Sequence, residues 1–466
     1  MTQLIFDSTR VLQRARELAR RESPAAGTLA SVTLPVTLAG LEVQHPALAQ
    51  GIAWSQPSRG LYLLGQGCAH RWHGAGEQRF ADLESRLKEL RAIWHHADPD
   101  GSGMEPLAFT GFAYSPEATP DGLPNLELRI PELLLARRDD AATLTLTWQG
   151  GPEDAVDGVL TRAFRWLAPL GGIDRNRPSP PLERVAAMPS DEIWRARVGQ
   201  AVADIRRGDL DKVVLSRRVR FRAAAAIEPS SVISACQARF PDCTVFAWSH
   251  PGGMLLAATP ERLVSVRGRQ VVSDAIAGTA ARAASAAEDG RLEVGLRTSG
   301  KIGQEHHPVV TSIARQLLPL CDSLDLPDQP GILKLANAQH LWSPISGRLK
   351  PGVSIAQVVA GLHPTPAVGG TPRGAALAWQ MRHGEWRGAW YAGAAGWIAR
   401  DGDGDLSVVL RSAWVRGAEV DLFAGAGIVA ESDPEAELAE TEIKLGAMLD
   451  ILDQHHGAEP ARRHRG

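Results

Sequence analysis

The chain predicts an α+β fold, with helices beside predominantly antiparallel sheet. Three observations carry that expectation. Residues 390–430 read as a meander of strands joined by tight turns, which implies antiparallel pairing. TVFAWSH-PGG-MLLAAT and RLVSVRG-RQVVSDAIAG have the form of two further hairpins. Stretches with helical spacing stand beside these strands, a mixture that favours α+β over a parallel doubly wound fold.

The elements follow in chain order. DRNRPSPPLERVAAMPS, from Asp174 to Ser190, is polar and proline-rich and reads as a connector between two halves. Ser190 or Asp191 then caps a helix in which Trp194, Val198, Ala201, Val202 and Ile205 recur at helical spacing. Gly208 stops it. DKVVLSRRVRF alternates, so a half-buried strand begins at Lys212 with Val213, Leu215 and Val219 on one face. Pro308 marks the start or a kink of a helix carrying Val309, Val310, Ile313 and Leu317. In the meander, GAAGWIA is followed by the RDGDGD turn and then by LSVVLRSAWV, read as one strand with Arg411 inside it. AEVDLFAGAGIVA is the last strand. The final helix opens at Ser432-Asp433-Pro434, a cap followed by proline in the first turn. The tail HHGAEPARRHRG is expected to fray.

Composition narrows the function classes. The chain has 466 residues, 50 Lys+Arg against 53 Asp+Glu, and a net charge of −3. That balance argues against a dedicated nucleic-acid binder. Its hydrophobic share of 44% is that of a globular protein. The four cysteines (Cys68, Cys236, Cys243, Cys321) form no CxxC pair, against both a zinc ribbon and a disulfide scaffold. The first 21 residues hold no sustained apolar run, and no stretch is long enough to span a membrane. A cytoplasmic protein is the resulting expectation.

Several motifs are weak. GLRTSGKI, residues 295–302, has the glycine–lysine spacing of a phosphate loop, but Ile302 stands where Ser or Thr should hold magnesium. DGDGD, residues 401–405, lacks the glycine and glutamate of a calcium loop and reads as a hairpin turn. GQG at 65–67 lacks the third glycine of a dinucleotide fingerprint.

Others carry more. On the last helix Glu437, Glu440 and Lys444 share one stripe beside the apolar face of Leu438, Leu445, Met448 and Leu452. They form either a salt-bridged surface or a carboxylate site for a hard cation. Glu305 and His306 precede the apolar run of another helix. Glu261 follows the apolar strand MLLAA at its end. AGAGIV, residues 424–429, either lets backbone N–H groups approach a ligand closely or lets strands pack tightly. Arg411 in apolar surroundings needs an anion, either a structural acid or a substrate carboxylate.

In order from Asp211 to Lys444 the chain reads DKVVLSR, ATPERLVSV, SDAIAGTAAR, KIGQEH, QHLWSPISGRL, LHPTPAVGGTP, WYAGAAGW, VVLRSAWV, LFAGAGIV and SDPEAELAETEIK. This string resembles the chorismate-utilising enzymes: the isochorismate, salicylate, anthranilate and aminodeoxychorismate synthases. The resemblance implies one large anthranilate-synthase-like α+β domain of two packed antiparallel sheets with flanking helices. Residues 1–185 would be its N-terminal part, 190–455 its motif-bearing catalytic part and 456–466 a flexible tail. LHPTPAVGGTP is similar to the isochorismate and salicylate synthase branch, and the lysine of KVVLSR resembles that of the water-using branch.

For function, the resemblance implies Mg²⁺-dependent conversion of chorismate to isochorismate. Lys212 would be the general base that activates water, and Glu261 the general acid at the departing C4 hydroxyl. Glu305 and Glu440 would ligate Mg²⁺, with Glu437 in support. Arg411, Tyr391, Lys444 and the backbone at Gly425 and Gly427 would hold the enolpyruvyl carboxylate. Gly278 and Thr279 would line the ring, with His340 nearby. Chorismate would be the partner of a monomer that binds neither nucleic acid nor membrane, in menaquinone or siderophore biosynthesis. Salicylate synthase, an aminating synthase and a non-catalytic chorismate-binding protein are the alternatives. Ile302 replaces an acidic residue common three positions before the glutamate of the EH motif, which implies weaker Mg²⁺ binding.

Overall fold

The computed structural model describes residues 13–14, 16–17, 25–37, 51–117, 122–150, 154–167, 181–335 and 338–453. The side chains at 154–156, 164, 167, 300–302 and 304–305 fall outside that description. Among the described residues, two large sheets pack face to face with helices around them, the expected α+β architecture. The thirteen-stranded first sheet begins at the edge strand Leu182–Met188. It continues through Lys212–Ala223, Glu419–Ile428, Ser412–Arg416, Gly253–Thr259 and Thr244–His250. Ile52–Gln56, Leu61–Gln66, Leu133–Arg138, Ala141–Gln149, Leu29–Val36 and Trp94–Ala97 complete the row, and Gly370–Thr371 pairs beside Lys212–Ala223. The ten-stranded second sheet runs Cys321–Asp325, Ala338–Leu349, Gln270–Ala281, Arg262–Arg267, Gly404–Val408, Ala394–Ala399, Leu107–Phe112, Leu126–Ile130 and His70–Gly74. Gly331–Lys334 pairs beside Ala338–Leu349. Pairing is antiparallel except between Leu29–Val36 and Trp94–Ala97, which are parallel.

The N-terminal third is woven into both sheets. Ile52–Gln56 pairs directly with Thr244–His250, and Leu107–Phe112 pairs with Ala394–Ala399. Aromatic residues fill the space between the sheets. Trp54 stacks on Phe246 at 5.4 Å, and the Trp248 ring meets Phe109 edge-on at 6.4 Å and Trp390 at 5.0 Å. Such contacts add to the large apolar area each ring removes from water. The outer face of the first sheet is covered in two places. Val213, Leu215, Ala426 and Ile428 lie with Trp194 and Val198 of the helix Asp191–Arg206. Val245, Leu256 and Leu422 lie with Val232 and Cys236 of Pro229–Arg239 and with Leu445 and Met448 of Pro434–Leu452.

Local signals agree with the expected caps. Ser190 accepts the Ile193 N–H, and the helix ends at Arg206, just before Gly208 with φ +85°. Asp433 accepts the N–H groups of Glu435 and Ala436, a cap typically worth about 1 kcal/mol. The hairpins at 251–252 and 268–269 form as expected. The 401–403 segment is a hairpin turn, and residues 295–302 lie on two successive helices, Ala286–Thr298 and Gly300–Leu317. All four cysteines are free.

Three local expectations change. Within the connector, Leu182–Met188 is a strand paired to Lys212–Ala223. An edge strand satisfies its backbone on one side and stays largely exposed, so it needs no apolar alternation. The helix Gly300–Leu317 runs through Pro308, so of the two readings, start or kink, the proline is not the start. It gives up one backbone bond there while Val309, Ile313 and Leu317 anchor it in the inter-sheet core. LSVVLRSAWV is two strands, Gly404–Val408 in the second sheet and Ser412–Arg416 in the first. Arg411, with φ +46°, turns the chain between them. The connecting segment 174–180 and the tail 456–466 lie outside the described residues.

Trp248 is 1% exposed at the centre of the inter-sheet aromatic group. Trp248→Ala is expected to destabilise the protein by about 3–5 kcal/mol. A clear fall in the urea midpoint checks this; an unchanged midpoint would show that the sheets do not depend on that group.

Candidate active site

Two places where the chain passes from one sheet to the other lie side by side. Gly253–Thr259 of the first sheet leads through Pro260-Glu261 into Arg262–Arg267 of the second. Gly404–Val408 of the second leads through residues 409–411 into Ser412–Arg416 of the first. Their backbones are bonded to each other. Val408 N–H donates to the Glu261 carbonyl at 2.9 Å, and Ala258 N–H donates to the Arg411 carbonyl at 3.2 Å. This double crossing sets Glu261 and Arg411 in the wall of one cavity of about 140 Å³.

Of the thirteen residues singled out from the sequence, eleven line that cavity: Lys212, Glu261, Gly278, Thr279, His340, Tyr391, Arg411, Gly425, Gly427, Glu440 and Lys444. Glu437 is not among its lining residues. Glu305 lies on the helix Gly300–Leu317, and its side chain is outside the described residues, as is that of Ile302.

Glu261 is 4% exposed. Burial, reinforced by the Asp274 carboxylate, pushes its pKa up to about 8, against the pull of Lys212 and Lys444. A carboxyl in that state carries a proton at neutral pH and can donate it. Lys212, also 4% exposed, begins the strand that pairs with Glu419–Ile428. Its Cε would lie 2.7 Å from a Cβ built on Gly427, so the glycine makes room for the amine. His306 next to Glu305 is buried and bonded to Ser343 Oγ at 2.9 Å. Burial, with the nearby Lys212 charge, lowers its pKa to about 4.

His340 and Arg411 form a second cluster. Gly278, at φ +71°, bulges its strand so that Thr279 pairs with His340. His340 Nδ1 lies 3.1 Å from the Gly278 carbonyl and 3.2 Å from Thr279 Oγ1, while Nε2 lies 3.1 Å from Arg411 Nη2. A guanidinium only donates. Nε2 therefore accepts, and the ring proton sits on Nδ1, directed at the carbonyl. Burial, then the Arg411 charge, lowers the His340 pKa to about 3 and keeps the ring neutral. Arg411 has no carboxylate partner among the described residues; its neighbours are His340 and the Cys243 thiol. Among the described residues its buried Nη1 has no hydrogen-bond partner. An orphaned guanidinium nitrogen in a cavity wall is suited to an anion supplied from outside.

The last helix contributes charge from the side. Glu440 pairs with Lys444 at 2.7 Å, and Lys444 Nζ donates to the Gly425 carbonyl at 2.8 Å. Glu437 is 2% exposed and accepts from Ser432 Oγ at 2.6 Å. Of the two readings of the stripe the salt bridge is present, and Glu440 also borders the cavity. Carboxylate oxygens fit a hard divalent cation. Among the described residues no group of three or more His, Cys, Asp or Glu is placed to hold a metal.

Sequence reasoning missed Arg387, which also lines the cavity. Its guanidinium donates to the carbonyls of Val368 (2.6 Å) and Val214 (2.9 Å) and lies 3.7 Å from the centre of the Tyr114 ring. It thereby ties the 363–369 loop to the strand that carries Lys212. Nearby Glu385 accepts from Ser216 N–H and Oγ. The one available signal was an arginine four positions before Tyr391. Tyr391 itself is presented by a strained segment, with Ala389, Trp390 and Ala392 at φ +47°, +58° and +61°. No residue type there announces that conformation.

A family model described as chorismate binding enzyme matches residues 13–453, and the chain belongs to that family. The salicylate biosynthesis isochorismate synthase of Pseudomonas aeruginosa is 35% identical over 89% of this chain and 87% of its own length. Isochorismate synthase MenF of Bacillus subtilis is 28% identical over 86% of this chain and 87% of its own. The structure of MenF, the menaquinone-specific isochorismate synthase from Escherichia coli, superposes with a TM-score of 0.78. It is 26% identical, and the match covers 95% of this chain and 99% of that one. Anthranilate synthase component I from Streptococcus pneumoniae, at 19% identity and a TM-score of 0.69, shares the fold.

Infrared difference spectra of the protein against Glu261→Gln isolate this carboxyl, and its acid band is expected to disappear with a midpoint near pH 8. The Asp274 charge raises that midpoint, so Asp274→Asn is expected to move it to lower pH. A midpoint in the ordinary carboxylate range, or one indifferent to Asp274, would reject this electrostatic account.

Proposed function

We propose that this chain is an isochorismate synthase, converting chorismate to isochorismate by attack of water at C2 and loss of the C4 hydroxyl. The observation that carries the reading is the pairing of Glu261, its pKa raised to about 8, with buried Lys212 in one cavity. The names of the relatives support the same activity.

In this mechanism Lys212 accepts a proton from the attacking water as its oxygen bonds to C2. Burial is the setting in which lysine serves as a general base. The ring double bonds shift, and the C4–O bond breaks. Glu261 gives its proton to the departing hydroxyl, which leaves as water. One water enters and one leaves, so the net change is an isomerisation. Arg411 and Lys444 hold the enolpyruvyl carboxylate, with Tyr391 and the backbone at Gly425 and Gly427 beside it. Gly278, Thr279 and His340 border the ring. The neutral His340 keeps the Arg411 guanidinium turned toward the substrate.

The reading includes Mg²⁺, whose preference for oxygen ligands agrees with the carboxylates at the cavity edge. Glu440 and Glu305 would hold it, with Glu437 in support. The ion would supply positive charge for the substrate's ring carboxylate. A monomeric, cytoplasmic enzyme acting on chorismate completes the proposal. Among the described residues no helix is long and apolar enough to cross a membrane.

Purified protein supplied with chorismate and Mg²⁺ is expected to yield isochorismate on chromatography. Salicylate and pyruvate as products would replace this reading with salicylate synthase, and an ammonia-dependent aminated product with an aminating enzyme. Absence of any product would leave chorismate binding alone. Lys212→Ala and Glu261→Gln are each expected to lower turnover by at least ~10²-fold with an unchanged circular dichroism spectrum. Full activity in either variant would overturn the assigned roles. Chelation is expected to abolish turnover and added Mg²⁺ to restore it, with Glu440→Ala needing more Mg²⁺ than the parent; turnover indifferent to chelator would remove the metal from the mechanism.

A further inference from the structure

A second cavity, of about 320 Å³, shares no lining residue with the first. It lies where the helix Arg79–Ile93 and the start of the helix Ile355–Leu362 meet the turns at one end of the second sheet. The DGDGD turn supplies Asp401 and Gly402 to its wall. The lining is mostly apolar, with Leu87, Leu90, Trp94, Val353 and Ile398 among its residues. Its volume is in the range of cavities that take small organic ligands.

Cations outnumber acids in the lining of this cavity, which includes Glu84 and Asp401. Five cations line it: Lys88, Arg91, Arg269, Lys350 and Arg400. Three have carboxylate partners: Lys88 pairs with Glu84, Arg269 with Asp322 and Arg400 with Glu105. Arg91 and Lys350 have no carboxylate partner among the described residues; Lys350 Nζ donates to the Pro319 carbonyl at 2.8 Å. Against these two stands Asp401, which accepts the Asp403 N–H. Apolar residues beneath an excess of unpaired cations complement a ligand with an apolar body and one anionic head.

We propose that this cavity binds a small amphiphilic carboxylate, its ring or chain on Trp94 and the leucines and its head between Arg91 and Lys350. An aromatic acid and a medium-chain fatty acid share that chemistry. Neither requires chorismate, so the proposal stands apart from the assigned activity.

Calorimetric titration of the full-length protein with 1-naphthoate and with decanoate tests it. At least one is expected to bind, and which one identifies ring or chain as the fitting body. Binding is expected to weaken at least about tenfold in Arg91→Glu, where the head meets a like charge. The uncharged 1-naphthamide or decanamide is expected to bind correspondingly less well than its acid. Leu87→Trp, which fills the cavity from its wall, is expected to remove binding. Both variants are expected to keep the parent's thermal midpoint and chorismate turnover, and saturating chorismate is expected not to displace the probe. Binding of neither acid, binding unchanged in both variants, or displacement by chorismate would each overturn the proposal. Failure of the turnover assay would not touch it.

Discussion

The site depends on two strand-to-strand crossings that hydrogen-bond to each other. A chain leaving one sheet for another loses its ladder partners, and buried backbone groups cannot be left unpaired. Here each crossing supplies what the other lacks, through Val408 to Glu261 and Ala258 to Arg411. The two residues are therefore fixed by main chain. Lys212 enters from the strand beside Glu419–Ile428, and His340 from the strand paired to the Gly278 bulge. Each side chain of the cavity is carried on a regular element or anchored to one, the arrangement that holds reacting groups to small tolerances.

Electrostatics follow from that enclosure. Burial alone disfavours a charged Glu261, and Asp274 adds to the effect. Burial likewise keeps His340 neutral, and neutrality is what lets its Nε2 accept from Arg411. Arg387, Arg411 and Lys444 bring positive charge to a cavity whose half-exposed acid is Glu440. A dianionic substrate would complete the balance that the side chains leave open, and the unpartnered Nη1 of Arg411 is its most local sign.

Much of this was legible in the chain itself. Helix caps, hairpins and the start of the lysine strand follow from local chemistry, as at Ser190, Asp433 and Lys212. The ordered motifs point to eleven residues that line one cavity, and some of these, such as Lys212 at a strand start, Gly278 at a bulge and Lys444 on a helix stripe, carry a local pattern of their own. What stayed hidden is tertiary. LSVVLRSAWV is apolar apart from Ser407, Arg411 and Ser412 because its two halves are buried in different sheets, so no alternation marks the break at Arg411. The clamp made by Arg387 depends on carbonyls of Val214 and Val368, and backbone acceptors leave no trace in residue identity. Leu182–Met188 is a strand by pairing alone.

The two glycines of the AGAGIV strand set a boundary of another kind. A Cβ on Gly425 would stand 2.6 Å from the Leu215 carbonyl and 3.0 Å from the Tyr391 hydroxyl, and one on Gly427 would press on Lys212. On that side the chamber is walled by bare main chain, already at its widest. Any drift at these positions can only narrow it, so a descendant accepting bulkier molecules must make its space elsewhere in the lining, among side chains such as Ile276, Ala338 and Ile443.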